Sequence, residues 1–241
     1  MDIAVKRLYI SMFFPGVFLL LIWLIFLVDT SLKLDLVYAG LLPRKISGLQ
    51  GILFGPFIHG GFKHIVANSI PLFALSSLLF YFYRNLSFKV LIVCYLLSGI
   101  IVWLIGRSSY HVGASGIIYG LAGFLFASGL IRKHLGLMAI SFLVAFQYGS
   151  MIWGIFPLEE PVSWESHFAG LITGVGLAWF YRNKGPKGSR LFWQGIGFEN
   201  EAENEAESEP DSVDDLPWNE YEIEGPQKKN SDNSPEDNDK K

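Results

Sequence analysis

With 241 residues, 51% of them hydrophobic and only 17% charged, the chain carries fewer charges than a soluble domain, where about a quarter of residues are charged. Its apolar residues come in long blocks, which excludes a water-soluble fold and places the body of the chain in a bilayer. The net charge of −3 conceals two opposed parts: 16 acidic and 4 basic residues from Glu199 onward, and 15 basic and 6 acidic residues before it.

A spanning helix needs about 20 largely apolar residues, and six stretches qualify or come close. They are Leu8–Val28, His64–Tyr83, Phe88–Ile105, Ser115–Ile131, Leu135–Ile155 and Ser166–Tyr181. The first is long enough to span and has no small-residue cleavage pattern after it, so it reads as a retained helix rather than a signal peptide. The fourth and sixth are short and glycine-rich, which suits helices enclosed by protein rather than lipid. Between the first two spans lies a long connection, Asp29 to Lys63. A loop of that length is expected to have structure of its own and to lie along the membrane surface. Lone Cys94 falls inside an apolar block, with no metal-binding spacing around it, and reads as a packing residue.

The fold class is therefore all-α, a polytopic six-helix bundle. Its membrane domain covers residues 1–184, and the acidic stretch 185–241 is expected to be a disordered tail, because it cannot bury enough apolar surface to offset its ordering entropy. Basic residues set the orientation. Lys6 and Arg7 precede the first span, Arg84 and Lys89 bracket the second connection, and Arg132 and Lys133 form the fourth. Arg182 and Lys184 follow the sixth span, whereas the fifth connection holds Glu159, Glu160 and Glu165 and no base. The positive-inside rule then places both termini in the cytoplasm. Short loops and the lack of a transit peptide favour a bacterial inner membrane.

That topology brings chemistry together. The second, fourth and sixth spans all start at the outer face, headed by His64, Ser115 and His167 respectively. None of the six spans contains Asp or Glu, and His-Glu-x-x-His is absent, which excludes an intramembrane aspartate pair and a zinc metalloprotease of that pattern. Any proton acceptor within the bilayer must then be histidine. Gly116 and Gly120 on the fourth span, and Gly170 and Gly174 on the sixth, make small-xxx-small faces that allow close backbone approach. Packing them together would bring Ser115 within reach of His167, the base a serine nucleophile requires. Tyr119, one turn on, is placed to orient the imidazole by stacking. His64 and Asn68 share one helix face; they suit either oxyanion donors or a polar tie between helices.

Three blocks carry a family resemblance: "HGGFKHIVANS" (59–69), "GASGIIYGLAG" (113–123) and "SHFAGLITG" (166–174). In order and in placement they resemble the signature blocks of the rhomboid intramembrane proteases, over residues 8 to 182. The resemblance implies Ser115 as nucleophile, His167 as general base, His64 and Asn68 as oxyanion stabilisers, and Tyr119 as the ring packed on the base. Gly113, Gly116, Gly170 and Gly174 would support the site, and the loop through Trp164 would cap it. It also implies transmembrane protein substrates with small residues at the cut, and no cofactor, metal or nucleic acid. The first loop departs from the family by having "GLLPRKISG" in place of a Trp-Arg pair, so its docking is expected to differ. Two other classes compete: a non-catalytic rhomboid that binds transmembrane clients, and a transporter that gathers a metal on His59, His64, His111 and His167. The oligomeric state is left open.

Overall fold

A computed structural model describes residues 3–132, 138, 139, 142 and 163–184. The chain separates into two units, Met1–Arg190 and Leu191–Lys241, and all described residues belong to the first. Apart from residues 138, 139 and 142, the fifth expected span, Leu135–Ile155, lies outside the described residues, as does the tail from Gly185. What is described is helical, as expected: α1 (Ile3–Leu32), a short α2 in the first loop (Gln50–Phe54), α3 (Phe62–Phe82), α4 (Arg84–Ile105), α5 (Ser115–Ile131) and α6 (Trp164–Phe180). Three of these are long and apolar enough to cross a membrane: Val5–Leu32, Phe62–Phe82 and Arg84–Ile105. The chain is an integral membrane protein, and α1 exposes Leu20, Leu24 and Leu27 as a helix bathed in lipid should.

Two boundaries differ from the sequence reading. Lys6 and Arg7 lie inside α1 rather than before it. The Arg7 guanidinium donates to the Tyr81 carbonyl at 2.8 Å and sits over the Tyr81 ring at 4.7 Å, so its charge is satisfied at the helix end. The second connection shrinks to Tyr83 alone, because α4 starts at Arg84 rather than Phe88. Tyr83 leaves helical geometry (φ −120°, ψ 43°), yet its N–H still bonds the Leu79 carbonyl, and its own carbonyl accepts the Leu86 N–H. Its ring is buried edge-on to Phe124 of α5 at 5.0 Å. A turn this tight is stable because Tyr83 is both hinge and core residue.

The core lies where α3, α4 and α5 meet, with Ile65, Leu72, Leu75, Val90, Leu121 and Phe124 fully buried. Cys94 belongs to that core, its Sγ lying close to where a side chain at Gly120 would start. Both α5 and α6 have 17 residues, about 25 Å of helix, which is short for a hydrocarbon core near 30 Å. For α5 this costs little, since most of its residues are buried by neighbouring helices.

The long first connection does have structure of its own. Turns of 3-10 helix at Leu36–Ala39, Ile46–Gly48 and Gly55–Phe57 flank α2. Without a Trp-Arg pair, it docks through Arg44, whose N–H bonds the Trp103 carbonyl at 3.0 Å and whose guanidinium donates to the Gly106 carbonyl at 2.8 Å. Leu41 pairs with His111 in an antiparallel bridge. The first loop is thereby tied to the segment 106–114 that leads into α5.

Candidate active site

The α5–α6 contact is made by backbone. A Cβ on Gly170 would run into the Gly116 carbonyl oxygen, and one on Gly174 into the Gly120 carbonyl oxygen. The two small-residue faces therefore meet as expected, and only glycine permits that separation. Ser115 is the first residue of α5 and His167 lies in the first turn of α6, so the packing brings both to one end of the bundle. Each is buried, with 8% of its surface exposed. The Tyr119 ring stacks on the His167 imidazole, centroids 4.1 Å apart and planes 10° from parallel, which restrains the imidazole in one plane.

The head of α3 reaches the same end. Gly113, two residues before Ser115, has φ +104°, a conformation that favours glycine. A Cβ there would lie 2.6 Å from His64 Cε1, 2.7 Å from His64 Nε2 and 3.7 Å from Asn68 Nδ2. The approach to Ser115 thus passes directly against the His64 ring and the Asn68 amide. Asn68 Nδ2 donates one hydrogen to the His64 carbonyl at 3.0 Å, leaving its second hydrogen for another acceptor. His64 in turn contacts His59 with ring centroids 5.0 Å apart. His59 is only 3% exposed, and this burial, reinforced by His64 and partly opposed by the Phe57 backbone, lowers its pKa to about 4.

The site residues expected from the sequence fall at this end of the bundle, with the Gly120–Gly174 contact supporting it from one turn deeper. Of the four outer-face histidines, His59 and His64 contact each other, while His167 stacks on Tyr119 and His111 bonds Ser163. Among the described residues no three His, Cys, Asp or Glu side chains converge.

The sequence pattern places Glu165 in the acidic outer loop, but α6 starts at Trp164 and takes Glu165 into its first turn, where it is 2% exposed. Its carboxylate accepts the Arg107 N–H at 3.2 Å and pairs with the Arg107 guanidinium at 3.5 Å. The signal was Ser163, whose side chain accepts the Ser166 N–H as a helix N-cap; a cap there puts Glu165 two residues inside the helix.

Comparison with known proteins identifies the family. The Rhomboid domain family matches residues 47–184, more than half of the chain and all three sequence blocks. An uncharacterized protein of Mycobacterium leprae is 34% identical over 171 residues, covering 67% of this chain and 68% of the relative. Uncharacterized proteins of Mycobacterium bovis and Mycobacterium tuberculosis are each 32% identical over 171 residues, covering 67% of this chain and 71% of theirs. With the family matched over that length, and its three blocks gathered at one end of a membrane helical bundle, the chain belongs to the rhomboid family of intramembrane serine proteases.

Proposed function

We propose that the chain is a serine endopeptidase that cleaves membrane proteins in or near their transmembrane segments, using Ser115 and His167 as a catalytic dyad. The observation that carries this reading is the glycine-to-glycine packing of α5 on α6 with Tyr119 stacked on His167. It holds a histidine in a fixed plane beside the turn that starts with Ser115. A dyad without a carboxylate is workable when another contact orients the base, and the Tyr119 ring supplies that contact.

The chemistry follows from the groups present. Ser115 Oγ attacks the scissile carbonyl carbon while the His167 imidazole takes its proton. Negative charge then develops on the carbonyl oxygen. The donors for it are the Ser115 backbone N–H at the head of α5, the His64 ring and the second Asn68 amide hydrogen, each such donor typically contributing about 3 kcal/mol in the transition state. The C–N bond breaks as His167 gives its proton to the leaving amine, and an ester remains on Ser115. Water, deprotonated by His167, attacks that ester and releases the new carboxyl terminus and the free serine.

The remaining parts of the reading rest on pattern and composition. The positive-inside rule supports cytoplasmic termini, the short loops support a bacterial inner membrane, the apolar spans support residues 1–184 as the membrane domain, and the acidic, apolar-poor composition supports 185–241 as an appendage. Fluorophosphonate labelling of the purified protein tests the dyad without knowledge of a substrate. Wild type is expected to label, and Ser115→Ala and His167→Ala to lose labelling while staying folded. A folded wild type that resists labelling in both detergent and lipid would shift the reading to a client-binding rhomboid.

A further inference from the structure

His111 is absorbed neither by the dyad nor by the oxyanion donors, yet it stands where three parts of the protein meet. Its backbone bridges Leu41 of the first loop. Its ring Nε2 lies 3.1 Å from the Arg107 carbonyl oxygen, and its Nδ1 lies 2.6 Å from Ser163 Oγ. Ser163 Oγ is also 2.6 Å from Ser166 Oγ. The Ser163 carbonyl accepts the backbone N–H groups of Ser166, at 3.1 Å, and of His167, at 3.4 Å. Hydrogen bonds to the side chain and the carbonyl of Ser163 thus link the His111 ring to the backbone of the candidate base.

The direction of that path follows from donor inventory. A carbonyl oxygen only accepts, so Nε2 carries the hydrogen and donates to Arg107. In the neutral ring Nδ1 is then an acceptor, and Ser163 Oγ–H donates to it. Ser163 has no second hydroxyl hydrogen, so Ser166 Oγ–H must donate to Ser163. Protonating His111 makes Nδ1 a donor as well. Ser163 must then turn its hydrogen away from the ring, and because its two lone pairs already accept the Ser166 N–H at 3.4 Å and the Ser166 Oγ–H, a third donor displaces one of them, one residue from His167.

We propose that His111 is a positioning residue for His167: in its neutral form it holds the first turn of α6 through Ser163 and Ser166, and its protonation reverses that chain and releases the turn. This rests on the reading of Ser115 and His167 as the catalytic pair. The charged and titratable groups around His111 come from each element packed near it. They are Arg107 on its own segment, Glu165 on α6, Arg44 on the first loop, Tyr95 on α4 (which lines the same cavity) and His64 of α3 across Gly113. Burial, the largest influence, favours the neutral ring. The Arg107 carbonyl and the Glu165 carboxylate favour the cation, and the Arg107 guanidinium opposes it.

The test combines kinetics with a signal independent of activity, both on the full chain. Fluorophosphonate labelling rates are measured between about pH 4.5 and 8 for wild type, H111F, H111N and S163A. Imidazole 15N spectra of histidine-labelled wild type and S163A are recorded over the same range. H111F and S163A are expected to label roughly 10- to 100-fold more slowly at neutral pH, the usual effect of a misplaced catalytic group. H111N, which can still accept from Ser163 but does not titrate, should recover most of the rate and show a shallower acid limb than wild type. The neutral His111 resonance should be that of the Nε2–H tautomer, and S163A should move the His167 resonances. Variant profiles parallel to wild type, or His167 resonances indifferent to S163A, would overturn the proposal. A folded wild type that never labels would instead overturn the catalytic reading, and the spectra would still decide the link between His111 and His167.

Discussion

At the scale of single residues, the site is built from positions that permit one side chain each. Gly113 is the sharpest case, since its positive φ and the His64 ring 2.6 Å from its missing Cβ both forbid a side chain. Gly113→Ala is expected to displace His64 and lower the labelling rate by about 10- to 100-fold, while the strained backbone costs about 1–2 kcal/mol of stability. A thermal melt beside the labelling assay separates the two effects. Tyr119 makes a complementary prediction. If its ring face is what orients His167, then Tyr119→Phe should label at close to the wild-type rate. Tyr119→Ala should lose roughly tenfold or more, because the imidazole gains rotational freedom. Equal losses in both variants would assign the role to the hydroxyl instead.

At the scale of elements, the decisive contact is α5 on α6. Gly170→Leu places a branched side chain where the Gly116 carbonyl lies, so the helices must part by more than a hydrogen bond's tolerance. The expected outcome is loss of labelling together with a lowered thermal midpoint. The same substitution at Gly176, whose Cβ position no described residue approaches within 4 Å, should leave both unchanged. These helices were legible in the sequence because glycines at a four-residue spacing beside Ser115 and His167 mark a close approach that no other residue allows. The head of α6 was less legible. Hydropathy places a helix start at the first apolar run, whereas the actual start follows the Ser163 cap and draws the buried Glu165 inside. The Tyr83 turn was hidden for a similar reason: a tyrosine followed by arginine looks like a polar connection, and only the ring's burial against Phe124 explains the one-residue link. The docking of the first loop through Arg44 and Leu41 depends on long-range pairings, which local pattern does not encode.

At the scale of the whole molecule, acid should weaken the fold from the His59 side of the site. The folded protein depresses this histidine from 6.5 to about 4, so the unfolded chain binds the proton more readily. The stabilisation is complete above about pH 6.5 and is lost as pH falls toward 4, amounting to about 2 kcal/mol by pH 5. Thermal midpoints of wild type across that range should fall more steeply than those of His59→Phe, and parallel curves would refute the assignment. The far end of the site helices is fastened as well: Arg132 donates to Ser128 of α5 and to the carbonyls of Tyr181 and Lys184 beyond the end of α6. With main chain against main chain in the middle and an arginine clasp at the end, the spacing of α5 and α6 has no compressible layer to yield. Bilayers that differ in thickness or lateral pressure should therefore change how quickly substrates reach the serine, while its reactivity toward a small soluble probe stays the same from one lipid to another.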